Sequence, residues 1–232
     1  MKVAFITGGS RGIGFGIAKA LLNDGWAISI TGRSAVGVAQ AVEQLNTSGR
    51  DPVLGLTCDV RQMADQERAV AQTLERFGRI DLLVANAGIG HFSPIETMDV
   101  THWQETIDTN LTGVFFSVKA CLQALMQTKG YIITISSLAG TNFFATASAY
   151  NASKFGLTGF TQAIMLDLRR HGIRVSTIMP GSVATDFNGN KHDKDEAWKI
   201  QIEDIGQMVS DLMRLNPRTL PSKIEVRPSS PG

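Results

Sequence analysis

The chain has 232 residues, 43% hydrophobic and 19% charged, with 22 basic and 21 acidic side chains and a net charge of +1. That is enough apolar material for the core of one α/β domain, and it excludes a disordered chain or a small scaffold that needs staples. The absence of a basic excess argues against a nucleic-acid partner, and no apolar run approaches the roughly 20 residues of a membrane span.

Apolar runs and glycine-marked turns divide the chain into alternating strands and helices. Val3-Ala4-Phe5-Ile6 reads as a buried strand, and Ile13, Ile17, Ala18, Leu21 and Leu22 recur after it at helical spacing. A second strand, Ala27–Thr31, precedes a helix marked by Val38, Ala41, Val42 and Leu45 and closed by Gly49. Val53–Cys58 is a third strand, followed by the stripe Ala69, Val70, Thr73, Leu74 and Phe77, which ends at Gly78. Leu82–Ala85 is a fourth. In the second half, one long helix is predicted over Trp103–Gln127, then strand Tyr131–Ile135. Helix Ala149–Arg170, strand Ile173–Ile178, helix Ile202–Leu215 and strand Lys223–Val226 complete the series. Asn188–Glu196 reads as an exposed polar loop. The last sixteen residues hold four of the seven prolines and are expected to be mostly irregular.

Strands that are continuously apolar and alternate with helices predict a doubly wound parallel sheet of about seven strands, covered on both faces. Such sheets bind ligands outside the carboxyl ends of their strands, so the residues after each strand are the candidates.

The first strand is followed by Thr7-Gly8-Gly9-Ser10-Arg11-Gly12-Ile13-Gly14. Gly8, Gly12 and Gly14 leave room for a pyrophosphate, and the helix that starts near Gly12 aims its free amides there. Arg33 and Ser34 follow the second strand, where an NAD-specific sheet carries an acidic residue. The Arg33 guanidinium, with Arg11 near it, suits a 2′-phosphate and favours NADP over NAD. Asp59 and Val60 follow the third strand, with Asp59 either accepting from an adenine amino group or capping a helix. Asn86, Ala87 and Gly88 follow the fourth, where small residues admit a ribose and Asn86 can hold the turn. Ser136 and Ser137 follow the fifth. Tyr150 and Lys154, four apart on the next helix, share a face. A neighbouring ammonium favours the phenolate, which would let Tyr150 exchange a proton with a substrate oxygen.

TGGSRGIG at 7–14, DV at 59–60, NAG at 86–88, Asn110, ISS at 135–137, YNASK at 150–154 and PG at 180–181 together resemble the short-chain dehydrogenase/reductase family. The match runs from about Met1 to Thr185. The resemblance implies a Rossmann-type fold in a single domain spanning 1–232, with a short substrate segment at about 186–200. It implies a catalytic set of Asn110, Ser137, Tyr150 and Lys154, with Ser137 chosen over Ser136 because the family serine lies thirteen positions before the tyrosine. Tyr150 is then the acid in reduction and Ser137 bonds the carbonyl oxygen. Lys154 holds the nicotinamide ribose, and Asn110 holds a relay water. Gly8, Ser10, Arg11, Gly12, Ile13, Gly14, Arg33, Ser34, Asp59, Val60, Asn86, Ala87, Gly88, Pro180, Gly181, Val183 and Thr185 are the expected cofactor contacts, with Tyr150 and Lys154. Phe143, Phe144 and Phe187, with His91 and Phe92, suggest an apolar mouth for a hydrophobic or aryl carbonyl. The expected activity is NADP-dependent oxidoreduction of a carbonyl or alcohol, with a 3-oxoacyl-thioester reductase or a non-catalytic NADP-binding sensor as alternatives. Cys58 and Cys121 lack metal or redox spacing, the four histidines form no ligand cluster, and the N-terminus has no signal-peptide core. These features fit a cytoplasmic protein, expected as a homodimer or homotetramer.

Overall fold

The computed structural model describes residues 1–46, 52–185, 187 and 196–230. Gly49 and nearly all of the 186–196 segment lie outside these residues.

Seven parallel strands lie in the order β3-β2-β1-β4-β5-β6-β7. They are β1 (Val3–Thr7), β2 (Ala27–Gly32), β3 (Val53–Thr57), β4 (Leu82–Ala85), β5 (Tyr131–Ile135), β6 (Arg174–Pro180) and β7 (Lys223–Val226). The central strands are buried on both faces, which is why they read as unbroken apolar runs rather than alternating ones. One face carries α1 (Gly12–Asn23), α2 (Ala35–Leu45) and α7 (Ile202–Arg214), and its core includes Ile17, Leu21, Ile28, Ile30 and Val209. The other carries α3 (Met63–Phe77), α5 (Gly113–Thr128) and α6 (Ser148–Leu168), with Phe5, Leu83, Leu125, Ile132 and Leu157 in its core. Gly78 closes α3 in the left-handed region at φ 76°, and its amide bonds Leu74 O at 2.7 Å.

The single helix predicted over Trp103–Gln127 is interrupted. α4 (Val100–Ile107) runs into a π-turn at Asp108–Thr112 before α5 begins. The interruption sits where Gly113 packs against the loop after β3: a β-carbon on Gly113 would lie 2.9 Å from Val60 Cγ2. A π-turn admits an extra residue into the helix and changes which side chains face inward, a device common at functional sites.

Candidate active site

β1 and β4 are neighbours in the sheet, but their chains leave toward opposite edges. The loops after them therefore diverge, and a crevice opens between them. A cleft of about 940 Å³ follows this rim, near the upper end of the usual range for ligand sites.

The glycine turn and the turn after β4 are clamped together at its centre. Thr7 Oγ1 accepts from the amides of Asn86 (3.0 Å) and Ala87 (3.2 Å), while Asn86 Nδ2 donates to Thr7 O and Gly8 O. Gly8 adopts φ +64°, and a β-carbon there would lie 2.9 Å from Ala87 Cα, so only glycine fits. Gly14 does not line the cleft. It is the contact point of the clamp, where a β-carbon would meet Asn86 Nδ2 at 2.5 Å and Gly8 O at 2.6 Å. α1 starts at Gly12 without a side-chain cap from Arg11, which leaves its first amides available to an anion.

Gly8, Ser10, Arg11, Gly12 and Ile13 line the cleft, as do Arg33 and Ser34. Ser34 Oγ also caps α2, accepting from Gly37 N at 3.2 Å. Arg11 and Arg33 are exposed and neither forms an ion pair among the described residues. Two cations without a close ion pair among the described residues, at one rim, suit an anionic ligand. Val60 lines the cleft, but Asp59 does not. Both Asp59 oxygens are engaged by the Arg61 guanidinium at 2.7–3.1 Å, which holds the carboxyl below its ordinary range. The capping role considered for Asp59 is not seen, since the residue that precedes α3 is Gln62.

Asn86, Ala87 and Gly88 line the middle of the cleft, and Pro180, Gly181, Val183 and Thr185 its far wall. Asn110 lies behind Gly88, fully buried in the π-turn. Its amide is committed to Ile89 N and O, both at 2.8 Å, and to Ser153 Oγ at 3.0 Å. Asn110 thus braces the turn beside Lys154 rather than lining the cleft.

Ser137, Tyr150 and Lys154 meet on the cleft wall. Ser137 Oγ accepts from Ala139 N at 3.1 Å and lies close enough to Tyr150 to act on its phenol, and Lys154 Nζ donates to Ile135 O at 3.0 Å. Although part of the Tyr150 ring faces the cleft, burial pushes its phenol above the ordinary value, and Ser137 opposes this only in part. Burial also pulls Lys154 down to about 8. The lowering expected from the ammonium neighbour is not the direction found: desolvation is the leading cause of the shift, and Lys154 Nζ sits 5.7 Å from the ring centroid.

Tyr150 is flanked by aromatic rings, with Phe92 at 5.3 Å and Phe187 at 6.0 Å between centroids. Among the described residues the Phe144 ring packs only on that of Phe92, at 6.0 Å, and Phe143 is 85% exposed; neither is among the described residues that line the cleft. The Phe92 segment is pinned through Ser93 N to the carbonyl of Thr146, a β-branched residue held at φ 68°. Cleft residues beyond those expected from sequence include Thr31, Gln40, Gln44, Ile89, Thr109 and Lys199. Gln40 and Gln44 carried a signal, since the four-residue spacing puts both on one face of α2.

The short chain dehydrogenase family model matches residues 2–196. This chain belongs to that family. The chain is 34% identical over 228 residues to a putative ketoacyl reductase of Streptomyces coelicolor, covering 96% of this chain and 87% of the relative. It is 39% identical over 191 residues to trans-4-hydroxycyclohexanecarboxylate dehydrogenase of Sinomonas cyclohexanicum, covering 79% and 73%. An alcohol dehydrogenase from the archaeon Thermococcus sibiricus, solved with 5-hydroxy-NADP, superposes with a TM-score of 0.93 at 30% identity over 100% of this chain and 99% of that one. As a short-chain dehydrogenase, the protein is an oxidoreductase of CH–OH and C=O groups that uses a nicotinamide cofactor.

Proposed function

We propose that this short-chain dehydrogenase is an NADP-dependent carbonyl reductase in which Tyr150 is the proton donor. The observation that carries the reading is the meeting of Ser137, Tyr150 and Lys154 on one wall of the cleft that the glycine turn opens. The residues present fit a phosphorylated dinucleotide. Gly8 and the uncapped start of α1 form a cradle, and Arg11 and Arg33 supply unpaired positive charge. The Thermococcus neighbour, solved with an NADP derivative, supports the same choice.

The bound dinucleotide supplies the hydride for the carbonyl carbon. A phenol is protonated at neutral pH and burial favours that form further, so the Tyr150 hydroxyl can deliver the proton that the carbonyl oxygen needs. Ser137 Oγ bonds the same oxygen as negative charge develops on it. With the dinucleotide bound, Lys154 would hold its nicotinamide ribose and, while protonated, would add positive charge behind the tyrosine. Phe92 and Phe187 form the apolar wall of the substrate end, which suits an aryl or other flat hydrophobic carbonyl. Reduction of a 3-oxoacyl thioester is the second reading, favoured by the likeness to the Streptomyces protein. A non-catalytic sensor is opposed by the complete set of Ser137, Tyr150 and Lys154.

The two free cysteines are buried and fit a reducing cytoplasm, and no helix among the described residues is long and apolar enough to cross a membrane. Phe115 on α5, with Phe155 and Leu166 on α6, leaves an exposed apolar face that supports pairing with a second copy.

The test is NADPH oxidation, followed by absorbance, across aldehydes, ketones and an acyl thioester. The expected result is turnover of aryl ketones, tighter binding of NADPH than NADH, and a loss of about 10³-fold in Tyr150→Phe with cofactor binding retained. Equal affinity for the two cofactors removes the case for Arg33. Normal turnover in the tyrosine variant removes its assigned role.

A further inference from the structure

Gln66, Ala69, Val70 and Thr73 are the buried residues of α3, and their spacing is that of one inward helix face. Such a face ordinarily takes apolar side chains. Thr73 satisfies its hydroxyl locally, by donating to Ala69 O one turn back. Gln66 is 0% exposed and reaches away from its own helix instead. Its Nε2 donates to Ser117 Oγ at 2.8 Å and lies 3.3 Å from both Val60 O and Gly113 O. Those two carbonyls can only accept, so the nitrogen of the amide must face them. Its Oε1 has no hydrogen-bond partner among the described residues. A buried amide with an unmet oxygen carries a cost that a methionine of similar length would avoid.

The three oxygens belong to segments that are remote in the chain. Val60 follows β3, and Gly113 starts α5 directly after the π-turn at Asp108–Thr112. Ser117 Oγ itself donates to Gly113 O at 2.8 Å, so hydroxyl and amide converge on that carbonyl. The π-turn carries Asn110, whose amide holds Ile89 N, Ile89 O and Ser153 Oγ. Ser153 Oγ donates in turn to Tyr150 O at 2.8 Å. A buried polar network therefore runs from Gln66, through one turn of backbone, to the segment of α6 that bears Tyr150 and Lys154. Residues 108–112 read as continuous helix in sequence, so what fixes the turn has to come from outside it.

We propose that Gln66 is a positioning residue for the active site: its amide anchors the end of the π-turn, and through Asn110 and Ser153 it sets the place of Tyr150. This rests on the reading of Tyr150 as the proton donor. Gln66 does not line the cleft.

The test uses Gln66→Met, which keeps the length and removes the donor, and Ser117→Ala, which removes the nearest acceptor. Amide hydrogen exchange of the cofactor-free protein, read by NMR, compares Ile89, which is bonded to Asn110, with Phe5 in the core of β1. Exchange at Ile89 is expected to quicken on the order of tenfold in Gln66→Met, and by a smaller factor in Ser117→Ala, with Phe5 unchanged. With acetophenone and NADPH, kcat is expected to fall on the order of tenfold in Gln66→Met, while affinity for NADPH stays within about twofold. In an Asn110→Ala background the same substitution is expected to change kcat by less than about twofold, because the path is already cut. Equal losses of kcat in the two backgrounds, or exchange that quickens alike at Ile89 and Phe5, would reduce Gln66 to a structural residue and overturn the proposal. A loss confined to NADPH affinity overturns it too, since the effect would then act through Val60. If Gln66→Met does not fold, Ser117→Ala carries both measurements, and parental exchange and turnover in that variant count against the proposal. A parent protein that reduces no ketone would sink the reading of Tyr150, and the exchange comparison would still decide whether Gln66 holds Asn110.

Discussion

A lysine ammonium buried to 4% exposure, with one carbonyl as its recorded acceptor, is costly in its charged form. For Lys154 the consequence is a value of about 8 instead of 10.5. Between those two pH values the unfolded chain holds more protons than the folded one. The penalty from Lys154 is thus fully present below about pH 8 and is relieved as pH rises toward 10.5. Tyr150 has the opposite sign: its raised value costs nothing below pH 10 and destabilises the fold above it. Lys154→Met is expected to lose activity. Its stability relative to the parent protein should fall with pH, by on the order of 3 kcal/mol between neutral and pH 10.5. Thermal melts of both proteins across that range check this, and a difference that does not vary with pH would mean that burial of the charge is not the cause. The same value predicts that kcat/KM for NADPH declines above about pH 8 as Lys154 loses its proton, measurable from initial rates against pH. Tyr150 and Lys154 were legible as a pair four apart on one helix face, and Ser137 and Asn110 through the family resemblance. Their protonation was not, because desolvation depends on β5 and the loop after β4, remote in sequence from α6.

At the level of elements, the glycine turn works by contact. Gly14 touches the Asn86 amide and Gly8 O so closely that any side chain must push the two turns apart. Gly14→Ala should cost about 1–3 kcal/mol of stability through overpacking, and it should weaken dinucleotide binding as the cradle opens. Thermal melts and cofactor titration together check this, and an alanine variant with normal melting and affinity would mean the turns have slack. Strands and helix stripes were visible in sequence because each depends on periodicity within a few residues. The break between α4 and α5 was not. Nothing local marks the segment 108–112, and the close approach of Gly113 to Val60 beside it joins positions over 50 residues apart. Phe143 and Phe144 misled for a similar reason: proximity to Ser137 in sequence placed neither ring on the cleft wall.

For the whole molecule, the exposed face of α5 and α6 sets the expected assembly. Phe155 and Leu166 lie eleven residues apart on α6, hence on one side, and Phe115 packs edge-on against Phe160 across the two helices. A dimer that covers this face is the expected state in solution. Phe115→Glu with Leu166→Glu should shift the mass measured by light scattering to that of one chain, and an unchanged mass would move the interface elsewhere. Sequence by itself determined the parallel α/β sheet, the turns that end its strands, and the family to which the motifs belong, because these reside in short windows of residue type and spacing. Tertiary structure alone decided that Asp59 is engaged by Arg61, that the Tyr150 phenol is pushed above its ordinary value, and that Asn110 turns toward Ser153, 43 positions away. Burial and choice of partner are set by segments distant in the chain, and no local window contains them.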